Sequence, residues 1–264
     1  MQKAAAVDTQ TNTLLKASEV TKTFGGHRAV DGISLALQRG SITGLIGPNG
    51  AGKTTLFNCL VGALKPSSGR VELAGVNITG AGPEQVFAAG MARTFQIPRP
   101  FAAMSVLENV MLSPRGQLGE RFWANWLRPR AVAAQEVQTR DAALHWLNFV
   151  GLHKLAHEPA RVLSGGQRKL LELARVMVAQ PQLVLLDEPA AGVNPALLAL
   201  IVERIETLHA QGVSFLIIEH NMELVQRLCQ PVWVMAQGRM LAQGDAATVL
   251  NDPRVVEAYL GTTA

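Results

Sequence analysis

The apolar positions of this chain recur with two periods, and the switches between them set out its elements in order. From residue 14 to 37 apolar and polar residues alternate (Leu15, Ala17, Val20; Ile33, Leu35, Leu37) around Gly25-Gly26, which predicts antiparallel strands joined by a turn. Ile42, Leu45 and Ile46 make a short apolar run, and a helical spacing follows at Leu56, Leu60 and Val61. After the break at residues 65–69, residues 70–74 read as a strand with a turn at Gly75. Residues 91–96 read as another short strand, ended by Pro98 and Pro100, so Gln96 stands at a strand exit. Ser105 with Glu108 makes a capping box for a helix through Val110 and Met111. From Ala131 the spacing is helical again, with Val137, Leu144, Leu147 and Val150 recurring on one face until Gly151 stops it. Residues 101–160 are therefore expected to form a helical lobe set into an α/β frame. Leu170, Leu171, Leu173, Ala174, Met177 and Val178 predict an amphipathic helix. The unbroken runs at residues 183–186 and 213–218 are marks of parallel strands buried on both faces. Residues 232–235 and 239–242 read as a hairpin through Gln237-Gly238, and residues 248–260 as one closing helix.

Composition narrows the class. With 264 residues and 48% hydrophobic ones the chain can bury a sizeable core. No apolar stretch approaches the ~18 residues of a spanning helix, and the polar segment 1–13 has no apolar core, so a flexible tail and residence in the cytosol are expected. A net charge of +4 is mild and is not interleaved with aromatics, which argues against a nucleic-acid partner. Charged residues make up only 17%, and the mean hydropathy is +0.17; either a large core or a partner-covered surface accounts for this. Cys59 and Cys229 have no metal or redox spacing and read as reduced structural thiols. Residues 113–130 carry Arg115, Arg121, Arg128 and Arg130 with Phe122, Trp123 and Trp126; a membrane-surface segment and a solvated loop both fit.

The chemistry lies in four short stretches. Gly47, Pro48, Asn49, Gly50, Ala51, Gly52, Lys53, Thr54 and Thr55 satisfy G-x-x-x-x-G-K-[ST] between a strand and a helix, the context a phosphate loop requires. Its glycines let backbone N–H groups face a polyphosphate, Lys53 neutralises charge, and the Thr54 hydroxyl suits Mg²⁺. Leu163 and Ser164, Gly165, Gly166 and Gln167 precede the amphipathic helix, with Ser164 placed to cap it and glycines that leave bare N–H groups. The run 183–186 delivers Asp187 and Glu188 at its carboxyl end, where one carboxylate can serve Mg²⁺ through water and the other can take a proton from attacking water. The run 213–218 delivers Glu219 and His220 to the same edge. Phe24, just before the first turn, is either a half-buried strand aromatic or a ring that stacks on a base.

Taken together, the phosphate loop, Gln96, residues 163–167, Asp187-Glu188 and His220 resemble the ATP-binding subunit of an ABC transporter over roughly residues 14–260. The resemblance implies an α/β phosphate-loop NTPase: a RecA-like core with an antiparallel β-subdomain (14–100 and 161–260) and an inserted α-helical subdomain (101–160) that leads to the signature at 163–167. It implies ATP and Mg²⁺, with Phe24 on adenine, the loop residues on phosphate, and Thr54, Gln96 and Asp187 serving the ion. Glu188 would be the general base, His220 the γ-phosphate contact, and Ser164, Gly165, Gly166 and Gln167 would reach ATP held by a second subunit. Partners implied are membrane permease subunits, a second identical or related ATPase, and, indirectly, a solute-binding protein. The location implied is peripheral, on the cytoplasmic face of the membrane. Residues 190–195, Arg93-Thr94-Phe95-Gln96 and Ala258-Tyr259-Leu260-Gly261 are similar to the branched-chain amino acid importers, which include urea and amide importers. Two departures stand out: the adenine-stacking residue, often Tyr, is Phe24, and the loop after Glu188 has Asn194 where Asp is usual. Lipopolysaccharide export and a non-transport ABC ATPase are the alternatives.

Overall fold

The alternating segments fold as expected. In the computed structural model, which describes residues 12–94, 100–114, 123, 126 and 129–260, β1 (Thr13–Phe24) and β2 (His27–Gln38) pair antiparallel, with Phe24 opposite His27 at the turn. Gln96, Arg115, Arg121, Phe122, Arg128 and Gly261 lie outside the described residues. β4 (Ser68–Leu73) and β5 (Val76–Asn77) complete a four-stranded antiparallel sheet in the order β2-β1-β4-β5.

The apolar runs build a second sheet. β3 (Ile42–Ile46), β6 (Met91–Arg93), β7 (Leu183–Asp187), β8 (Ser214–Ile218), β9 (Val232–Ala236) and β10 (Arg239–Gly244) lie in the order β10-β9-β3-β8-β7-β6. All neighbours are parallel except the β9–β10 hairpin. Period-two packing divides each strand between two cores. Val184, Leu186, Phe215 and Ile217 join the core beneath the helices, whereas Leu183, Leu185, Leu216 and Ile218 join the core shared with the antiparallel sheet. Both faces are covered, so the strands carry no polar alternation. Each such side chain contributes about 1.5–3 kcal/mol relative to exposure.

Helices α1 (Lys53–Leu60), α2 (Pro83–Ala89), α3 (Val106–Met111), α4 (Pro129–Phe149), α5 (Gly165–Met177), α6 (Pro195–Ala210) and α7 (Met222–Leu228) follow in chain order. α3, α4 and α5 pack on one another through Val106, Val110, Ala143, Leu147, Leu170 and Leu171. Ser105 caps α3 through the expected box, accepting from the Glu108 N–H at 3.1 Å while Glu108 accepts from the Ser105 N–H at 2.7 Å.

Of the strand expected over 91–96, Met91–Arg93 form β6 and the Thr94 N–H donates to Leu185 O, while residues 95 and 96 lie outside the described residues. Along α4 and the residue after it, Leu147 and Val150 are buried and Leu144 half-buried, whereas Val137 is 60% exposed, because α4 packs on α3 and α5 through its C-terminal half while most of its first turns face solvent. The closing helix is two helices, α8 (Ala246–Leu250) and α9 (Pro253–Leu260), since Pro253 lacks an N–H and its ring crowds the preceding turn.

Candidate active site

The carboxyl ends of β3, β7 and β8 are adjacent, and each ends in a polar turn. Asp187 sits opposite Ile218 in the ladder, so Glu188 and Glu219 leave their strands at the same level. This is the edge at which open parallel sheets take ligands. After β3 the loop needs glycine for two stated reasons. A side chain at Gly47 (φ 149°) would place its Cβ 2.0 Å from Met235 O, and one at Gly52 (φ 94°) would lie 2.1 Å from Ala29 O. Gly52 also starts α1 with no side-chain cap, which leaves the first N–H groups of that helix for an anion.

A cleft of 280 Å³ opens here, lined by His27, Ala29, residues 49–55, Glu188 and His220. Lys53 is buried and folded onto its own loop, donating to Gly47 O at 2.7 Å and Pro48 O at 3.0 Å. Burial pushes its ammonium below the usual lysine range, and Glu188 and Asp187 pull it back up. Thr54 is exposed at the mouth of the loop and Thr55 half-buried. Glu188 leaves β7 with φ 49°, left-handed for a residue with a side chain, a conformation that costs roughly 1–3 kcal/mol. Its Oε1 lies 3.0 Å from His220 Nε2.

Several neighbours went unassigned in the sequence. Asp187, 4% exposed, accepts from Arg93 Nη2 at 2.7 Å, and Arg93 also donates to Asn58 Oδ1. Lys169 of α5 donates its ammonium to the Glu188 carbonyl. Burial pushes that ammonium down, opposed by Glu219, Glu188 and Asp187. Glu219, 2% exposed, accepts from the N–H groups of Ala190 (2.7 Å), His220 (2.9 Å) and Asn221 (3.1 Å), tying the turns after β7 and β8 together. An acid directly after a buried strand was the available signal, because such a group must find donors. Arg93 and Lys169 gave no local signal, their partners lying far along the chain.

Other expected residues stand apart. Ser164 accepts from the Gln167 N–H at 3.3 Å and Gln167 Oε1 accepts from the Ser164 N–H at 2.9 Å, so α5 starts with a capping box. Ser164 and Gly165 are exposed and Gly166 is buried, yet none of residues 164–167 lines the cleft. Phe24 is 49% exposed with Lys22 Nζ 5.2 Å from its ring centroid, and the cleft wall at that end is His27 and Ala29. Gln96 lies outside the described residues. Asn194 caps α6, accepting from the Leu197 N–H at 2.9 Å. Both cysteines are buried thiols, and burial, with Glu219 adding to it, pushes Cys229 up to about 12.

A phosphate loop leaving the middle of a parallel sheet, with carboxylates on the next strands over, defines a phosphate-loop nucleotide-binding protein. Residues 30–191 match the family model for the ABC transporter, and residues 239–264 match that for the branched-chain amino acid ATP-binding cassette transporter. The chain is 40% identical over 252 residues to the probable branched-chain amino acid transport ATP-binding protein LivG of Archaeoglobus fulgidus, covering 94% of this chain and 95% of that protein. It is 38% identical over 251 residues to the high-affinity branched-chain amino acid transport ATP-binding protein BraF of Pseudomonas aeruginosa, covering 94% and 98%. A nucleotide-free ATP-binding cassette from an ABC transporter superposes with a TM-score of 0.82 at 36% identity, covering 93% of this chain and 98% of that one. The chain belongs to the ABC transporter family, as an ATP-binding ATPase subunit. Among the described residues no helix is long and apolar enough to cross a membrane.

Proposed function

We propose that this subunit hydrolyses ATP to drive a membrane permease that takes up branched-chain amino acids. The named relatives and the match over residues 239–264 support that cargo over urea, short amides, lipopolysaccharide or a non-transport role. The reading of the chemistry rests on one observation: a carboxylate held by His220 faces the phosphate loop across a single cleft.

The loop N–H groups and Lys53 hold the phosphates, with the Lys53 ammonium leaving its own carbonyls for phosphate oxygens. Glu188 accepts a proton from water as the water oxygen bonds to the γ-phosphorus. The bond from that phosphorus to the bridging oxygen breaks, and ADP carries the released electron pair. His220 orients the Glu188 carboxylate and contacts the γ-phosphate. The Thr54 hydroxyl and Asp187 carboxylate are hard oxygen donors that fit Mg²⁺, with Gln96 serving its water. No group of three or more His, Cys, Asp or Glu that could hold a metal ion occurs among the described residues, so phosphate and water would complete the ion's shell. Bound there, Mg²⁺ would offset charge on the transferred phosphoryl group.

Residues 164–167 lie off the cleft of their own chain, which supports a second subunit whose ATP they complete, with residues 101–160 as the lobe that carries them. Phe24, outside the cleft lining, would meet adenine beyond the phosphates. Docking on the permease places the subunit at the cytoplasmic membrane face, with the solute-binding protein beyond the permease. The test is Glu188→Gln in the full chain: ATP binding persists, phosphate release falls by about a thousandfold, and an ATP-bound dimer accumulates in size exclusion. Turnover that survives the substitution would remove Glu188 from its role.

A further inference from the structure

Glu188 occupies a backbone conformation that survives only where its surroundings over-determine it. Most of the bonds that do so come from the sheet and the turns at its edge. The Glu188 N–H donates to Ile218 O at 2.9 Å, its carbonyl accepts from the Ala191 N–H at 3.2 Å, and its carboxylate meets His220 at 3.0 Å. Another comes from outside the sheet and its turns. Lys169, half-buried on α5, reaches across to the same carbonyl with its ammonium and lies beside Asp187, Thr94 and Glu172 in a small cavity. A charged donor on a partly buried carbonyl is a stronger contact than a neutral one. It also ties Glu188 to the helices packed on the sheet: α5, capped by Ser164, packs with α3 and α4.

We propose that Lys169 is a positioning residue for Glu188: its ammonium holds the carbonyl of the left-handed peptide, so the aim of the carboxylate follows the position of α5. A shift of α5 against β7 makes or breaks this contact, and the state of residues 164–167 thereby reaches the hydrolytic carboxylate inside one chain. The inference rests on reading Glu188 as the general base.

Lys169→Met keeps the apolar stem and removes the donor; Lys169→Arg keeps charge and donors. In the purified full chain, Lys169→Met is expected to bind a fluorescent ATP analogue within about twofold of the parent while kcat falls about ten- to a hundredfold with KM unchanged. Hydrogen exchange at the Glu188 and Ala191 amides rises about tenfold while α5 stays protected, and Lys169→Arg recovers most of kcat. Should Lys169→Met fail to fold, Lys169→Gln is read by the same assays and the same criteria. Parental kcat, unchanged exchange at residues 188–191, or an arginine variant as impaired as the methionine one would each overturn the proposal. Failure of the underlying reading looks different: Glu188→Gln would then turn over ATP normally, while the exchange data would still report whether Lys169 holds the peptide.

Discussion

The phosphate-loop edge and the mouth of α5 each present a helix N-terminus opened by glycines, yet in this chain they are in opposite conditions. At the loop edge every principal charge has an internal partner: Lys53 its own loop carbonyls, Asp187 the guanidinium of Arg93, Glu188 the ring of His220. At the mouth of α5 the capping box satisfies the Ser164 and Gln167 N–H groups, Gly165 faces solvent, and no residue from 164 to 167 borders the cleft. One half is assembled and occupied by its own groups; the other lies off that cleft. The difference supports the proposed second subunit, rather than a rearrangement of this one, as the source of the other half of the site.

Substitutions on the two sides should therefore fail in different ways. Arg93→Met strands the Asp187 carboxylate in a 4% exposed position and should cost about 3 kcal/mol, read from urea unfolding; an unchanged midpoint would mean the pair is not what satisfies Asp187. Gly165→Asp is sterically allowed, since its Cβ would meet nothing closer than Gly192 O at 3.8 Å. A carboxylate there suits the helix N-terminus but repels a triphosphate, so nucleotide binding to the monomer should persist while ATP-dependent dimerisation, followed by light scattering, weakens about a hundredfold. Normal dimerisation of this variant would erase the contrast drawn above. Lys53→Ala should act the other way round, raising the Kd for ATP by calorimetry about ten- to a hundredfold and preventing the dimer only as a consequence. The smallest effect is expected for Ser164→Ala, which loses the cap of α5 and about 1 kcal/mol, a Tm drop of about 2–4 °C by calorimetry.

Much of this arrangement is legible along the chain because its causes are local. The loop 47–55, the Ser105 and Ser164 caps and the carboxylates closing β7 each lie within a few residues of what makes them recognisable. Val137 marks where that logic stops: helical spacing assigns a face, but whether that face is covered depends on how far α3 and α5 extend beneath it. The continuous helix expected over 248–260 failed for a local reason after all, the ring of Pro253.

Local chemistry, then, set which strands are buried on both faces and which carboxylates, histidine and glycine-rich loop leave them, because side-chain period and turn composition act over a handful of positions. Pairing across distance was settled by folding alone. Arg93 meets Asp187 94 residues away, His220 meets Glu188 32 residues away, and Lys169 crosses from another layer to the same peptide. Parallel strand order brings such residues together, and that order is written in the packing of two cores rather than in any one stretch of chain.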